Sequence, residues 1–365
     1  MSRLQKILAL LSGLFCAVAL GMALAQGSAQ MVLLLFLTLG TFSLLRFRLP
    51  FPFWFDGLML LLGAAALLLT LPQYQTEPPF FWLALAASWG FAWLFVEQLS
   101  QAIRAGKVSG RVFGLIIPVL FGLSLLFVWE VVTRGANVPQ VLLPAPSQIW
   151  GRLLGSIPML AADFQQTFLK SVLAGYAIGC LSGFAVAILV DRSPFLARGL
   201  LPIGNFVSAL PIVGIAPIMV MWFGFDWPSK AAVVVAMTFF PMLINTVAGL
   251  QAASLMERDL MRTYAAGYWQ TLWKLRLPAA APFIFNALKI NSTLALIGAI
   301  VAEFFGTPIV GMGFRISTEV GKLNIDLVWA EIAVAAVAGS AFYGVIALIE
   351  RALTFWHPSV RGGRA

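Results

Sequence analysis

Apolar runs long enough to cross a bilayer recur along nearly the whole of this chain, and they leave few folds open to it. Ten can be marked, at about 7–25, 31–45, 54–71, 80–96, 113–133, 168–190, 200–222, 231–250, 281–302 and 327–349, most of them near the roughly 20 residues that a membrane helix needs. A backbone in hydrocarbon must satisfy its own polar groups, so such runs specify helices. The expected fold class is all-α: a polytopic membrane protein of about ten transmembrane helices. Only 10% of the side chains are charged, against roughly 25% in a soluble domain, which excludes a water-soluble globule.

The loops set the orientation. With a cytoplasmic N-terminus, sixteen Lys and Arg residues fall inside and only five, Arg134, Arg152, Lys230, Arg315 and Lys322, fall outside. Cytoplasmic loops carry the cation excess of membrane proteins, so both termini are expected inside. The formal net charge of +9 would suggest nucleic acid in a soluble protein. Here the cations sit between apolar segments, and the partner they imply is membrane lipid. Trp129, Trp150, Trp227 and Trp329 then lie near the outer surface and Trp54, Trp269, Trp273 and Trp356 near the inner one, as an aromatic belt would. Ala23-Leu24-Ala25 ends the first run as a signal cleavage site would, but that run is longer than the usual signal core of about 7–15 residues, and a retained helix is expected. Cys16 and Cys180 lie inside apolar runs and His357 is the only histidine, so disulfide frameworks, zinc sites and His-based triads are excluded and no cofactor is expected.

Residues 1–111 form four apolar segments with little chemistry in them, a membrane extension closed by a cationic stretch. From residue 112 to residue 356 the runs contain Pro, Asn, Gly and Ser at internal positions, and 357–365 is a basic tail. Gly175, Gly179 and Gly183 line one helix face where backbones can approach closely, within the chain or between subunits. Pro202, Pro211 and Pro217 predict a bent helix, beside a pathway or with kinks that packing alone supports. Uncharged polar groups facing lipid are costly, so Asn245, Asn291, Thr293 and the neighbouring Glu303 are candidate pathway residues, with helix–helix bonding as the alternative, while Lys289 is expected to snorkel to the inner surface.

The segment 251–280, within "QAASLMERDLMRTYAAGYWQTLWKLRLPAAA", mixes charges with apolar residues at helical spacing. It reads as a helix from about Ser254 to Tyr264, a turn at Ala265-Ala266-Gly267, and a second helix from Trp269 that Pro278 stops.

That segment resembles the cytoplasmic coupling loop of bacterial ABC-importer permeases, whose pattern is Glu-Ala-Ala, three residues, Gly, nine residues, Ile, any residue, Leu-Pro. Anchored on Leu277-Pro278, the pattern puts Leu275 at the Ile, Ala265 at the Gly and Asp259 at the Glu, with Gly267 left to supply the permissive backbone. "LPIVGIAPIMVMWFGFDWPSK", "FVWEVVTRGANVPQVLLPAPSQIW", "TFLKSVLAGYAIG" and "IGAIVAEFFG" are similar to successive stretches of the nitrate/sulfonate/taurine branch of these permeases. The resemblance covers about Phe113 to Trp356, six helices, and leaves the four N-terminal helices as an extension.

The resemblance implies a bacterial inner-membrane permease subunit. Two copies would form the pathway as a homodimer, cytoplasmic ATPase subunits would bind the coupling loop, and a periplasmic or extracellular substrate-binding protein would deliver substrate. Asp259, Tyr264, Ala265, Gly267, Leu277 and Pro278 are the coupling residues it points to. ATP would be hydrolysed on a partner chain: the nearest approach to a phosphate-binding loop, Gly321-Lys322-Leu323, lacks the following Ser or Thr and the upstream Gly. The rival readings are an ion-gradient-driven secondary transporter, which would call for intramembrane carboxylates or inverted repeats, and a membrane-embedded enzyme, for which the histidines are missing.

Overall fold

The computed structural model describes residues 3–25, 30–49, 53–70, 79–105, 111–208, 211–306 and 309–356. Among these residues there are helices and no strands, and the chain is a polytopic all-α membrane protein. Six helical stretches are long and apolar enough to cross a membrane, and Phe36–Arg46, Trp54–Ala65 and Ile212–Phe223 are shorter apolar helices. The expected tail 357–365, with His357, lies outside the described residues. The chain divides into two compact units, residues 1–149 and 150–365.

The first unit contains α1 (Arg3–Ala25), α2 (Gln30–Arg48), α3 (Phe53–Thr70), α4 (Pro79–Arg104) and α5 (Arg111–Gly135). Its helices meet through small residues: Ala9, Cys16, Ala19 and Ala23 of α1 are fully buried, and Gly90 of α4 faces the Ser12 side chain so closely that a Cβ there would collide. Without a hydrophobic driving force between helices in lipid, such contacts and internal hydrogen bonds supply the cohesion. The Ser43 hydroxyl donates to the Ala9 carbonyl, and Arg46 makes a buried two-pronged pair with Asp56 at 3.0 and 3.1 Å, tying α2 to α3.

The second unit is built on α8 (Leu173–Arg192), α11 (Trp227–Gln251) and α14 (Leu277–Glu303), with α16 (Ile325–Leu353) against α14. The glycine stripe works within the chain. A Cβ on Gly175, Gly179 or Gly183 would strike the backbone or side chains of Ala231, Val234, Val235, Thr238 and Phe239, so α8 and α11 touch nearly backbone to backbone. Phe168, Val172, Val234, Ala295 and Ala299 form the core between these helices and α16.

Three helices differ from the sequence expectation. The run 200–222 is not one continuous helix: α9 (Pro194–Ser208) ends and α10 (Ile212–Phe223) begins after Pro211, whose extended backbone (ψ 119°) cannot continue a helix. The run 168–190 starts earlier, because α6 (Pro146–Gly155) is followed by α7 (Ile157–Phe164) and a π-helical segment, Gln165–Val172, that leads into α8. Pro278 does not stop the second helix of the 251–280 segment. α12 (Leu255–Thr263) is followed by α13 (Tyr268–Thr271), a π turn at Leu272–Arg276 and then α14, one continuous helical stretch. A proline inside a helix removes one donor and clashes with the carbonyl four residues back. The wider i→i+5 turn just before Pro278 absorbs both.

Candidate functional site

The 251–280 segment is a helix–turn–helix. Ser254 caps α12: its hydroxyl accepts from the Glu257 N–H while the Glu257 carboxylate accepts from the Ser254 N–H, a reciprocal capping box. The Ser254 N–H, and then the Ser254 side chain, hold the Glu257 carboxyl below the usual carboxylate range. Asp259 and Arg262 pair on the exposed surface at 3.2 Å. Beside these exposed charges α12 leaves large apolar side chains uncovered: Leu255, Met256, Leu260 and Tyr264 are 78, 83, 56 and 77% exposed. None of its residues is buried. A nine-residue helix on its own is marginal in water, so the cap and its anchors hold it in place.

The turn corrects one expectation. Gly267 has an ordinary φ of −68° and extended ψ, serving as the N-cap of α13, where its N–H donates to the Gln270 side chain at 3.3 Å. The left-handed residue is Ala265, φ 51°, the position where the coupling-loop pattern has its glycine. The backbone shape is thus present in a residue for which it costs about 1–2 kcal/mol.

Two arginines hold the hairpin. Arg258 donates to the Leu250 and Gln251 carbonyls at 3.1 and 2.9 Å, and Arg276 donates its Nε to the Leu250 carbonyl at 3.0 Å. These carbonyls belong to the end of α11, where a helix leaves acceptors unpaired. Asp191, at the end of α8, takes the other face of the Arg276 guanidinium and the Tyr268 hydroxyl. Sequence reasoning missed Asp191; its signal was an acid next to Arg192 at the end of a long apolar run, facing a cationic loop.

At the opposite end of α11 and α14 lies a second polar cluster, buried within the chain. Asp163, fully buried, accepts from the Gly311 N–H at 2.7 Å and from Arg315 Nε at 2.8 Å. That bond raises the guanidinium further above its ordinary value. Thr167 donates to Glu303 at 2.8 Å and accepts from the Met312 N–H at 2.8 Å, and the Gly313 N–H reaches Glu303 at 2.7 Å. α15 (Met312–Gly321) is thereby docked by its first turn. A Cβ at Gly313 would overlap the Ile300 carbonyl, so only glycine fits there. Close by, the Trp227 N–H and then the Gln166 amide lower the Asp226 pKa.

The pathway candidates separate. Asn291 is fully buried and donates to the Thr238 carbonyl at 2.8 Å and the Cys180 sulfur at 3.3 Å; Glu303 is buried in the cluster just described. Both bond between helices of one chain, the alternative the sequence left open, and neither faces an open surface. Asn245 donates to the Pro241 carbonyl of its own helix at 2.8 Å. Thr293 is exposed and bonds to the Ile290 carbonyl at 2.8 Å. Lys289 does not snorkel freely: it pairs with Glu350 of α16 at 2.8 Å.

The helical membrane bundle thus carries, between the long helices α11 and α14, a capped hairpin whose first helix is uncovered. The comparisons with known proteins supply the class. Residues 175–355 match the family of binding-protein-dependent transport system inner membrane components. The chain is 30% identical over 246 residues to the formylaminopyrimidine transport permease protein of Halalkalibacterium halodurans, covering 67% of this chain and 98% of that one. It is 27% identical to the riboflavin transport system permease protein of Chloroflexus aurantiacus, covering 72% and 100% of the two chains. It is also 27% identical to the putative aliphatic sulfonates transport permease protein of Bacillus subtilis, covering 72% and 95%. The chain belongs to this family of binding-protein-dependent permeases, in the nitrate/sulfonate/taurine branch, and is a multi-pass inner-membrane protein.

Proposed function

We propose that this chain is the pathway-forming subunit of an ABC importer and that α12 is where a separate cytoplasmic ATPase subunit takes hold. The observation that carries the reading is the uncovered apolar stripe of Met256, Leu260 and Tyr264, with Leu255 beside its start, on a capped helix anchored through Arg258. An amphipathic helix of this kind suits a groove on a partner protein. The cation asymmetry supports a cytoplasmic position for that face and for both termini. Asp259 offers a charge beside the apolar face, Tyr264, Ala265 and Gly267 shape the turn, and Leu277 and Pro278 carry the hairpin into α14. A substrate-binding protein would dock on the opposite side of the membrane.

Residues 112–356 supply the six-helix transport core in this reading, and 1–111 a membrane extension. The face of α14 that the chain leaves open carries Phe283, Asn286, Ile290, Thr293 and Ile297. An amide and a hydroxyl on such a face are poorly matched to lipid, which favours a second copy of the chain across a shared pathway lined in part by Thr293. Asn245, half-buried on α11, stays a weaker candidate.

The test is co-purification. Replacing Leu260 and Tyr264 together by Asp should leave membrane insertion and yield intact and release the cognate ATPase subunit. Retention of a full complement of ATPase by that double variant would remove α12 from the contact.

A further inference from the structure

The ends of the hairpin are tied to different helices, and the ties converge on one pair. Asp191 at the C-terminus of α8 accepts the Arg276 guanidinium in two-pronged fashion and the Tyr268 hydroxyl at 3.0 Å; the Arg276 and Asp191 side chains are 12 and 5% exposed. The Nε of the same Arg276 reaches the Leu250 carbonyl of α11 at 3.0 Å, the carbonyl that Arg258 of α12 also uses. The Arg192 guanidinium lies over the Tyr268 ring, 5.5 Å from its centroid. A planar guanidinium held by both oxygens of a carboxylate resists rotation as well as separation, unlike a point contact. The π turn at Leu272–Arg276 sets Arg276 in this position immediately before α14.

We propose that Asp191 is a positioning residue for transport: through Arg276 it makes α8 move with the coupling hairpin, so that a displacement of α12 reaches the bundle by way of α8. This rests on the reading of α12 as the ATPase contact. Without Asp191 the hairpin would be joined to α11 by the chain itself and by the Leu250 and Gln251 carbonyl bonds, and α8 would follow only through packing. With it, α8 and α11, which meet almost backbone to backbone at Gly175 and Gly179, are driven as one rigid body, because close-packed interiors transmit displacement instead of absorbing it.

The experiment uses the full complex in lipid nanodiscs with the cognate ATPase and the cognate binding protein as purified, and reads two quantities: ATPase retained per permease, and the stimulation of ATP turnover by the binding protein. Asp191→Asn keeps shape and loses the charge. It should keep the ATPase and lose stimulation by at least about tenfold, the scale of one charge-assisted hydrogen bond. Tyr268→Phe should lose less. The reversed pair, Asp191→Arg with Arg276→Asp, should recover stimulation relative to either single change, a recovery that distinguishes the pairing from a general need for an acid at 191 and serves where a single variant folds poorly. Unchanged stimulation in an assembled Asp191→Asn complex would overturn the proposal, as would a loss of stimulation that only tracks loss of bound ATPase. If Leu260→Asp with Tyr264→Asp releases the ATPase while Asp191→Asn couples normally, the positioning role alone fails. If that double variant keeps its ATPase, the contact itself is misplaced and the positioning role falls with it.

Discussion

The two ends of α11 and α14 contrast in how they treat their polar and apolar groups. At one end Asp163, Thr167, Glu303, Gly311, Gly313 and Arg315 are closed on one another, with buried carboxylates met by backbone N–H groups and a guanidinium. At the other, α12 satisfies its polar groups with local caps and exposed pairs and leaves its large apolar side chains uncovered. Buried polar groups that find partners within the chain hold a structure together. Uncovered apolar groups on a well-formed helix ask for a partner. The buried cluster therefore reads as architecture and α12, on the function proposed above, as an interface, although the sequence places charges at both.

The contrast can be broken in a graded way. The largest effect is expected from Arg315→Ala, which leaves the buried Asp163 carboxylate without its cation and with the Gly311 N–H as its remaining described donor: a destabilisation of about 3–5 kcal/mol, measured by reversible unfolding in mixed micelles. An exposed change such as Met256→Ala on α12 should stay within about 0.5 kcal/mol in the same assay. Next is Gly183→Val, which forces a side chain against the Phe239 carbonyl and Met242; overpacking of this kind costs about 1–3 kcal/mol.

Ser254→Ala should weaken α12 by about 1 kcal/mol, seen as faster amide exchange at 256–258 after correction for intrinsic rates. The same cap depends on pH. Glu257 is held below its ordinary value, so its contribution is complete above the usual carboxylate range, near about 4.3, and is lost as pH falls through the lowered folded value. Exchange at α12 should rise there in the native chain and less in Glu257→Gln. The smallest effect separates the two turn positions. Ala265→Gly should stabilise the hairpin by about 1 kcal/mol by relieving the positive φ, whereas Gly267→Ala, with an ordinary φ and open space around it, should change little.

Much of this was legible in the sequence because it depends on local pattern. Spanning helices announce themselves by length and hydropathy, and the hairpin by apolar residues at helical spacing from about Ser254 to Tyr264 followed by Ala265-Ala266-Gly267. The glycine stripe on α8 predicted close helix contact and found α11. What was not legible depends on pairings distant in the chain. Asp191 meets Arg276 and Asp163 meets Arg315 only after the helices are assembled, and no periodicity marks them. Pro278 misled because a proline need not stop a helix: the π turn before it lets the chain run on into α14. Asn291 was left between two readings because a buried amide and a pore-lining amide have the same sequence signature; the structure adds its bond to the Thr238 carbonyl. Gly267 misled because the residue type suggested the strain, while the backbone put it on Ala265.

The account turns on α12 being the face that a partner covers, and site-specific photocrosslinking tests it most directly. A benzophenone side chain placed at Tyr264, and in a separate variant at Val320 of α15, both exposed in the free chain, would be irradiated in membranes that contain the cognate ATPase. The account predicts an ATPase adduct from position 264 and none from 320. Absence of an adduct at 264, or equal adducts at both positions, would contradict it.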